Sequence, residues 1–167
     1  MANISLQHQI AAERFAIVKK QESGAYACEE YLDPEFQRKQ LQQQSYTGPN
    51  ASLFDSLSTD SSTGSLNEMW REKICEWCYQ VVDHFDFSRE VVGVSMSFLD
   101  RYLSIRRVNK KMFQLAAMTC LYIAIKLHEP GSLKVSSLIA LSRGFFTTSH
   151  VLAMEESILR YVAFISF

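Results

Sequence analysis

Residues 115–127 read LAAMTCLYIAIKL, and this stretch contains one charged residue, Lys126, close to its end. The helical pattern around it extends over about 109–128, where the sequence His-Glu-Pro-Gly predicts its end. A helix that is apolar on nearly every side is usually enclosed by other helices. The stretch is also shorter than the roughly 20 residues that a membrane span requires. It therefore predicts the central helix of a protein core, and no association with a membrane is expected.

Four further helices are predicted from apolar residues that recur every three to four positions. They cover about 67–85, 89–105, 132–142 and 148–163. No segment shows the sustained two-residue alternation that is typical of strands. The sequence therefore predicts an all-α domain of five helices at 67–167, with the apolar helix in its centre.

Residues 1–66 differ from this domain because they are mostly polar. The part from 45 to 66 is crowded with Ser, Thr, Asp, Gly and Pro, a composition that is typical of flexible linkers. We therefore expect a mostly flexible N-terminal segment up to residue 66, followed by the helical domain.

The composition excludes several classes of function. Seventeen basic and 18 acidic residues give a net charge of −1, so the chain has no overall field that would attract nucleic acid. Cys75 and Cys78 form a Cys-x-x-Cys pattern, but a structural zinc site needs about four ligands and no second such pair is present. They are interpreted as core cysteines. Because no catalytic arrangement stands out either, we expect no enzymatic activity, no metal and no cofactor.

Four charged residues share helical faces with apolar residues: Arg71, Asp100, Lys126 and Glu155. An unpaired buried charge is strongly destabilising, so each of them should have a partner. The economical pairings are Arg71 with Asp100 and Lys126 with Glu155. Two interpretations are open at this point. Both pairs can be structural ties or side chains that reach out to water, or one pair can lie at the edge of the core for a partner protein to complete.

Four stretches resemble the helices of the cyclin box. They are WREKICEWCYQVV at 70–82, FLDRYLS at 98–104, FQLAAMTCLYIAIKLHE at 113–129 and VLAMEESILRYVAF at 151–164. The resemblance covers about 67–165, with five helices in the order and at the spacings of the family. It implies the five-helix cyclin fold and a regulatory, non-catalytic subunit of a cyclin-dependent serine/threonine kinase in cell-cycle control.

The resemblance also implies roles for five residues that mark active cyclin boxes. Their positions here are Arg71, Asp100, Leu115, Lys126 and Glu155. In the family the arginine and aspartate tie the first two helices together. The lysine and glutamate face the kinase, so Lys126, Glu155 and Leu115 are the expected kinase-binding residues.

A second expected site is a docking patch for substrates or inhibitors that carry Arg-x-Leu motifs. The positions that match it are Trp70, Ile74 and Trp77 in the first helix of the box and Gln114 in the third. Lys73 stands where a branched aliphatic residue is usual, which makes the patch more basic than in the family. The other interpretation is that Trp70 and Trp77 simply pack against the N-terminal segment.

One alternative function belongs to another class. Cyclin folds also occur in transcription-related factors, and four basic residues between 106 and 111 could contact nucleic acid. Basic residues without interleaved aromatics are a weak footprint, so no nucleic acid is expected. The resemblance implies a nuclear or cytoplasmic protein. Most cell-cycle cyclins continue into a second five-helix repeat, so either this chain has a single box or the sequence is part of a longer protein. A lone box is expected to be marginally stable and to be stabilised by kinase binding.

Overall fold

The computed structural model describes residues 2–24, 27–43, 50–58, 66–129 and 133–163. Within these ranges it contains eight helices and no strand, which confirms the all-α fold class. In chain order the helices are α1 (Ala2–Glu22), α2 (Pro34–Gln43), α3 (Ala51–Ser58), α4 (Glu68–His84), α5 (Glu90–Ile105), α6 (Lys110–His128), α7 (Val135–Leu141) and α8 (Thr148–Ala163).

The five helices predicted from periodicity correspond to α4–α8. The ends agree to within about one residue, except at the start of α7. That start was predicted near 132 and lies at Val135, and residues 130–132 are outside the described ranges. Helix α6 begins where the side chain of Asn109 accepts a hydrogen bond from the backbone N–H of Met112 at 2.9 Å. This N-cap satisfies one of the backbone donors that the first turn leaves unpaired.

Helix α6 is the centre of the fold. Every side chain from Leu115 to Ile125 is buried, and α3, α4, α5 and α8 pack around it. The buried hydroxyl of Thr119 donates to the carbonyl oxygen of Leu115 at 2.8 Å, so a polar group inside the core keeps a partner. None of the described helices combines the length and hydropathy needed to cross a bilayer. The apolar stretch therefore serves packing within the domain.

The prediction of a flexible linker is wrong for residues 51–58, because they form α3. Phe54 is only 1% exposed, and Leu57 is buried beside it. The side-chain amide of Asn109 donates to the carbonyl oxygen of Leu57 at 2.9 Å, which joins the end of α3 to the start of α6. The apolar residues of α3 thus override the polar composition around them. The remainder of the predicted linker, 45–49 and 59–65, lies outside the described residues.

The N-terminal segment is also less detached than its composition predicts. Tyr31 is buried in the core although two glutamates precede it, and Leu32 after it is partly buried against the same core. By contrast, the described side chains of α1 are all exposed. A mostly flexible segment is therefore the wrong description around Tyr31 and in α3. The domain boundary at residue 66 stays a prediction.

Replacing Phe54 with alanine tests whether α3 belongs to the core. Because the ring is almost fully buried, Phe54→Ala should lower the free energy of unfolding by about 3 kcal/mol. Chemical denaturation followed by circular dichroism gives this value, with the exposed residue of the same helix, Ser52→Ala, as the control. A loss below about 1 kcal/mol, the level of a typical surface change, would contradict the docking of α3.

Candidate functional site

Arg71 of α4 and Asp100 of α5 form the first of the two ion pairs expected from the sequence. The guanidinium donates through Nε to Oδ1 at 2.9 Å and through Nη2 to Oδ2 at 2.6 Å. Such a two-pronged contact fixes the orientation of both side chains. It therefore joins the first two helices of the box at a defined relative position.

A third residue, Tyr31, completes this cluster. Its hydroxyl donates to Oδ1 of Asp100 at 2.7 Å, so the carboxylate accepts hydrogen bonds from two parts of the chain. Burial, together with the negative charge of Asp100, raises the pKa of the Tyr31 phenol far above its ordinary value of 10. The hydrogen bond to Asp100 likewise raises the pKa of Arg71. At physiological pH the Tyr31 phenol is therefore neutral, and Arg71 is a charged guanidinium.

Sequence reasoning missed Tyr31, since nothing in the stretch Glu-Glu-Tyr-Leu-Asp marks the tyrosine as buried. The one available signal was that Arg71 alone does not use all the hydrogen-bond acceptor positions of Asp100. A carboxylate has about four acceptor positions, and Arg71 occupies only two of them. A further donor was therefore needed, but the sequence could not show which segment supplied it.

Lys126 and Glu155 form the second expected ion pair, between the last turn of α6 and the middle of α8. The ammonium Nζ donates to Oε1 of Glu155 in a close contact and lies 4.9 Å from the ring centroid of Tyr122. The hydrogen bond to Glu155 raises the pKa of Lys126, so the lysine stays charged throughout the physiological range. The lysine also lies at the C-terminal end of its helix, where the helix dipole favours a cation.

This second pair lies at the surface rather than in the core. The Lys126 side chain is 42% exposed, whereas Glu155 is 13% exposed. Glu155 is therefore held in place by its surroundings, and it holds the lysine in turn. The result is an oriented ammonium that faces solvent.

Exposed leucines surround the pair. Leu127 follows the lysine and is 63% exposed, while Leu152 and Leu159 on α8 are 51% and 44% exposed. The latter two lie three residues before and four residues after Glu155, so all three share one face of α8. We call the five residues Lys126, Leu127, Leu152, Glu155 and Leu159 the α6–α8 surface. Large exposed apolar side chains grouped around polar ones mark interaction sites.

Leu115 was expected to bind the kinase, but the structure excludes a direct contact of its side chain with a partner. Its side chain is 0% exposed and lies inside the core cluster. The reason is its position in α6, which is enclosed on every side at that level. The exposed leucines of the α6–α8 surface are the apolar residues that a partner can reach. The sequence signal for Leu152 and Leu159 was the apolar row that they form with Glu155 on α8.

The expected docking patch lies on α4, away from the α6–α8 surface. Trp70, Ile74 and Trp77 are half-buried, and Gln114 of α6 is exposed. The ring of Trp70 meets that of Phe113 edge to face, with 5.8 Å between their centroids. Trp70 therefore packs against α6.

The basic loop is less available to nucleic acid than its sequence suggests. Arg106 is buried, with its guanidinium 4.3 Å from the ring centroid of Tyr161 and hydrogen-bonded to the tyrosine hydroxyl. Lys110 lies over Trp70, with 5.0 Å between Nζ and the ring centroid. These contacts give two of the four basic residues a structural role.

The cysteines of the Cys-x-x-Cys pattern lie in or beside the core. Cys78 is buried and Cys75 is half-buried. Burial raises the pKa of the Cys78 thiol to about 12, so it is protonated and unreactive at neutral pH. Within the described residues, no group of His, Cys, Asp or Glu side chains is arranged to hold a metal ion.

Comparison with known proteins agrees with this geometry. The family model for the cyclin N-terminal domain matches residues 27–165. The chain belongs to the cyclin family. The match begins before Tyr31, so it includes the segment that completes the Arg71–Asp100 cluster as well as the five helices of the box.

Individual relatives give the same family. The chain is 30% identical over 100 residues to cyclin-A1-4 of Oryza sativa subsp. japonica, which covers 60% of this chain and 28% of that protein. It is 32% identical over 99 residues to cyclin-B2-1 of Arabidopsis thaliana, covering 59% and 23%. It is 30% identical over 99 residues to the G2/mitotic-specific cyclin-B2 of Rana japonica, covering 59% and 25%. The matched region thus spans about a quarter of the length of these relatives.

Removing the Tyr31 hydroxyl tests the three-residue cluster. Tyr31→Phe keeps the ring but deletes the donor to Asp100, and a hydrogen bond to a charged group contributes about 2 kcal/mol. We expect the free energy of unfolding in urea to fall by that amount. The matched control is Tyr79→Phe, because Tyr79 is exposed, and it should change stability by less than about 0.5 kcal/mol. Equal effects of the two substitutions would argue against the cluster.

Proposed function

We propose that this chain binds a cyclin-dependent serine/threonine kinase through the α6–α8 surface and thereby activates it in cell-cycle control. The observation that carries the proposal is the Lys126–Glu155 pair, held at the surface of a cyclin box and surrounded by exposed leucines. The chain acts as a regulatory subunit and supplies no catalytic group. Membership of the cyclin family supports a regulatory role.

The lysine supports recognition of a peptide group on the kinase. An ammonium carries three donors, and in the described structure Glu155 takes one of them. The exposed part of the side chain can direct another at a backbone carbonyl oxygen of the partner. A hydrogen bond that involves a charged group contributes about 1.5–3 kcal/mol, more than a neutral one. Because Glu155 fixes the ammonium beforehand, little conformational entropy is lost on binding.

The exposed leucines supply most of the binding energy. Leu127, Leu152 and Leu159 are large apolar side chains that remain in water in the isolated chain. Their burial against a partner contributes roughly 25 cal/mol for each Å² of apolar area removed from water. The charged pair then sets the orientation of the partner, while the leucines provide affinity.

Activation follows from rigidity. The α6–α8 surface is attached to the enclosed central helix, so it presents a fixed shape to the kinase. The family resemblance implies that a cyclin holds the regulatory helix of the kinase in its active position. In this position a lysine and a glutamate of the kinase itself can form the ion pair that aligns ATP. The energy of binding is thus used to favour one of two kinase conformations.

A matched pair of variants tests this function. Lys126→Ala/Glu155→Ala removes the proposed binding pair. Glu35→Ala/Lys39→Ala, the control, removes an exposed ion pair, 3.7 Å long, from α2 and leaves α8 unchanged. Each variant of the full chain is immobilised and incubated with the cyclin-dependent kinases of the organism that the chain comes from. The retained kinase is then assayed on a protein substrate.

The wild type and the Glu35/Lys39 variant should capture and activate a kinase. The Lys126/Glu155 variant should lose at least about tenfold in capture, the equivalent of about 1.4 kcal/mol. Circular dichroism confirms that both variants are folded. If the wild type captures no kinase, or if both variants bind equally well, the proposed use of the α6–α8 surface is wrong.

A further inference from the structure

The loop between α4 and α5 is joined to the end of α6 by one hydrogen bond. Glu129, the residue that follows α6, accepts through Oε1 from the backbone N–H of Ser88 at 2.8 Å. Ser88 lies just before α5, and the partial positive charge at the start of a helix attracts a carboxylate. The bond therefore links two parts of the chain that are 41 residues apart. We call residues 83–89 the α4–α5 corner.

The α4–α5 corner is held in shape by its own contacts. Arg89 donates to both carboxylate oxygens of Asp83, through Nε at 2.9 Å and through Nη2 at 2.7 Å. The same guanidinium lies 5.4 Å from the ring centroid of Tyr79. Between them, the N–H of Phe87 donates to the carbonyl oxygen of Val82 at 2.9 Å. Two-pronged contacts fix orientation, so the corner offers the Ser88 N–H in a defined direction.

Glu129 is tied to the last turn of α6 as well. Its own N–H donates to the carbonyl oxygen of Ile125 at 2.9 Å, which closes that turn. Lys126 and Leu127 lie within the turn, and both are exposed members of the α6–α8 surface. Helix ends fray readily. The direction in which the last turn is held therefore decides where these two side chains point.

We propose that Glu129 is a positioning residue for kinase binding. By attaching the last turn of α6 to the α4–α5 corner, it holds Lys126 and Leu127 in the orientation that the kinase meets. Glu129 itself does not touch the kinase. This role rests on the proposed function above, in which the kinase contacts the α6–α8 surface.

Preorganisation is the reason why a residue outside the contact changes affinity. Without the Glu129 carboxylate the last turn of α6 opens more often, and the kinase has to order it on binding. Ordering of this kind lowers affinity, because conformational freedom is lost. The fold itself depends less on the bond. Ser88 is exposed, so water can take the place of the lost acceptor.

Three variants of the full chain test this role. Glu129→Ala removes the acceptor, whereas Glu129→Gln keeps a side-chain carbonyl oxygen and loses only the charge. The control Glu90→Ala removes an exposed carboxylate from the first turn of α5 and leaves the link to α6 intact. Amide hydrogen exchange is measured by NMR at positions 88 and 129 of the chain alone. Affinity is measured for the cyclin-dependent kinase that the wild type captures.

Glu129→Ala should exchange faster at both positions and bind the kinase about fivefold more weakly. Glu129→Gln should keep most of the protection and most of the affinity, because the hydrogen bond remains. Glu90→Ala should match the wild type in both measurements. The urea midpoint of unfolding should change little in all three, so the loss of affinity reports orientation rather than unfolding.

Four results would overturn the proposal. The first is equal kinase affinity of Glu129→Ala and the wild type. The second is an equal loss in Glu90→Ala, which would show a general effect of charge. The third is a loss in Glu129→Gln as large as in Glu129→Ala. The fourth is a loss in Glu129→Ala without faster exchange at position 88, which would show direct contact with the kinase.

Failure of the proposed function gives a different result. In that case the wild type captures no kinase, and the positioning role of Glu129 falls with it. If the wild type captures a kinase and any of the four results is found, the inference about Glu129 alone is wrong.

Discussion

The enclosure of α6 is the constraint on which the rest of the structure depends. Its side chains are buried from Leu115 to Ile125, so no side of the helix in that stretch can face water. Three neighbours come from the box, and α3 supplies a fourth from the N-terminal region. A segment that looks like a linker by composition is therefore part of the core, because the central helix needs cover on that side.

The same constraint places the α6–α8 surface. Where α6 leaves the core at its C-terminal end, Lys126 and Leu127 emerge beside α8. Where it begins, Lys110 emerges beside Trp70 of α4. The α6–α8 surface is thus attached to a rigid axis, and its lysine is held by the partly buried carboxylate of Glu155. A rigid support is what an allosteric regulator needs in order to favour one conformation of its partner.

The sequence predicted the parts of this arrangement that depend on local periodicity. The five helices of the box and both ion pairs follow from the spacing of apolar residues and the need to pair charges on apolar faces. Tyr31 and α3 were missed, because their burial depends on contacts between residues far apart in sequence. The burial of Arg106 depends on a distant contact in the same way, since its partner Tyr161 lies on another helix. Leu115 was expected by resemblance to bind the kinase, although its place on an enclosed helix keeps it inside the core.

The central claim is that the kinase contacts the α6–α8 surface, and hydrogen–deuterium exchange on the full chain tests it most directly. Exchange is compared for the chain alone and in the presence of a captured cyclin-dependent kinase. The account predicts added protection in peptides that cover the end of α6 and the stretch from Leu152 to Leu159, with α4 unchanged. Protection of α4 without protection of α8, or no change at either place under saturating kinase, would contradict it.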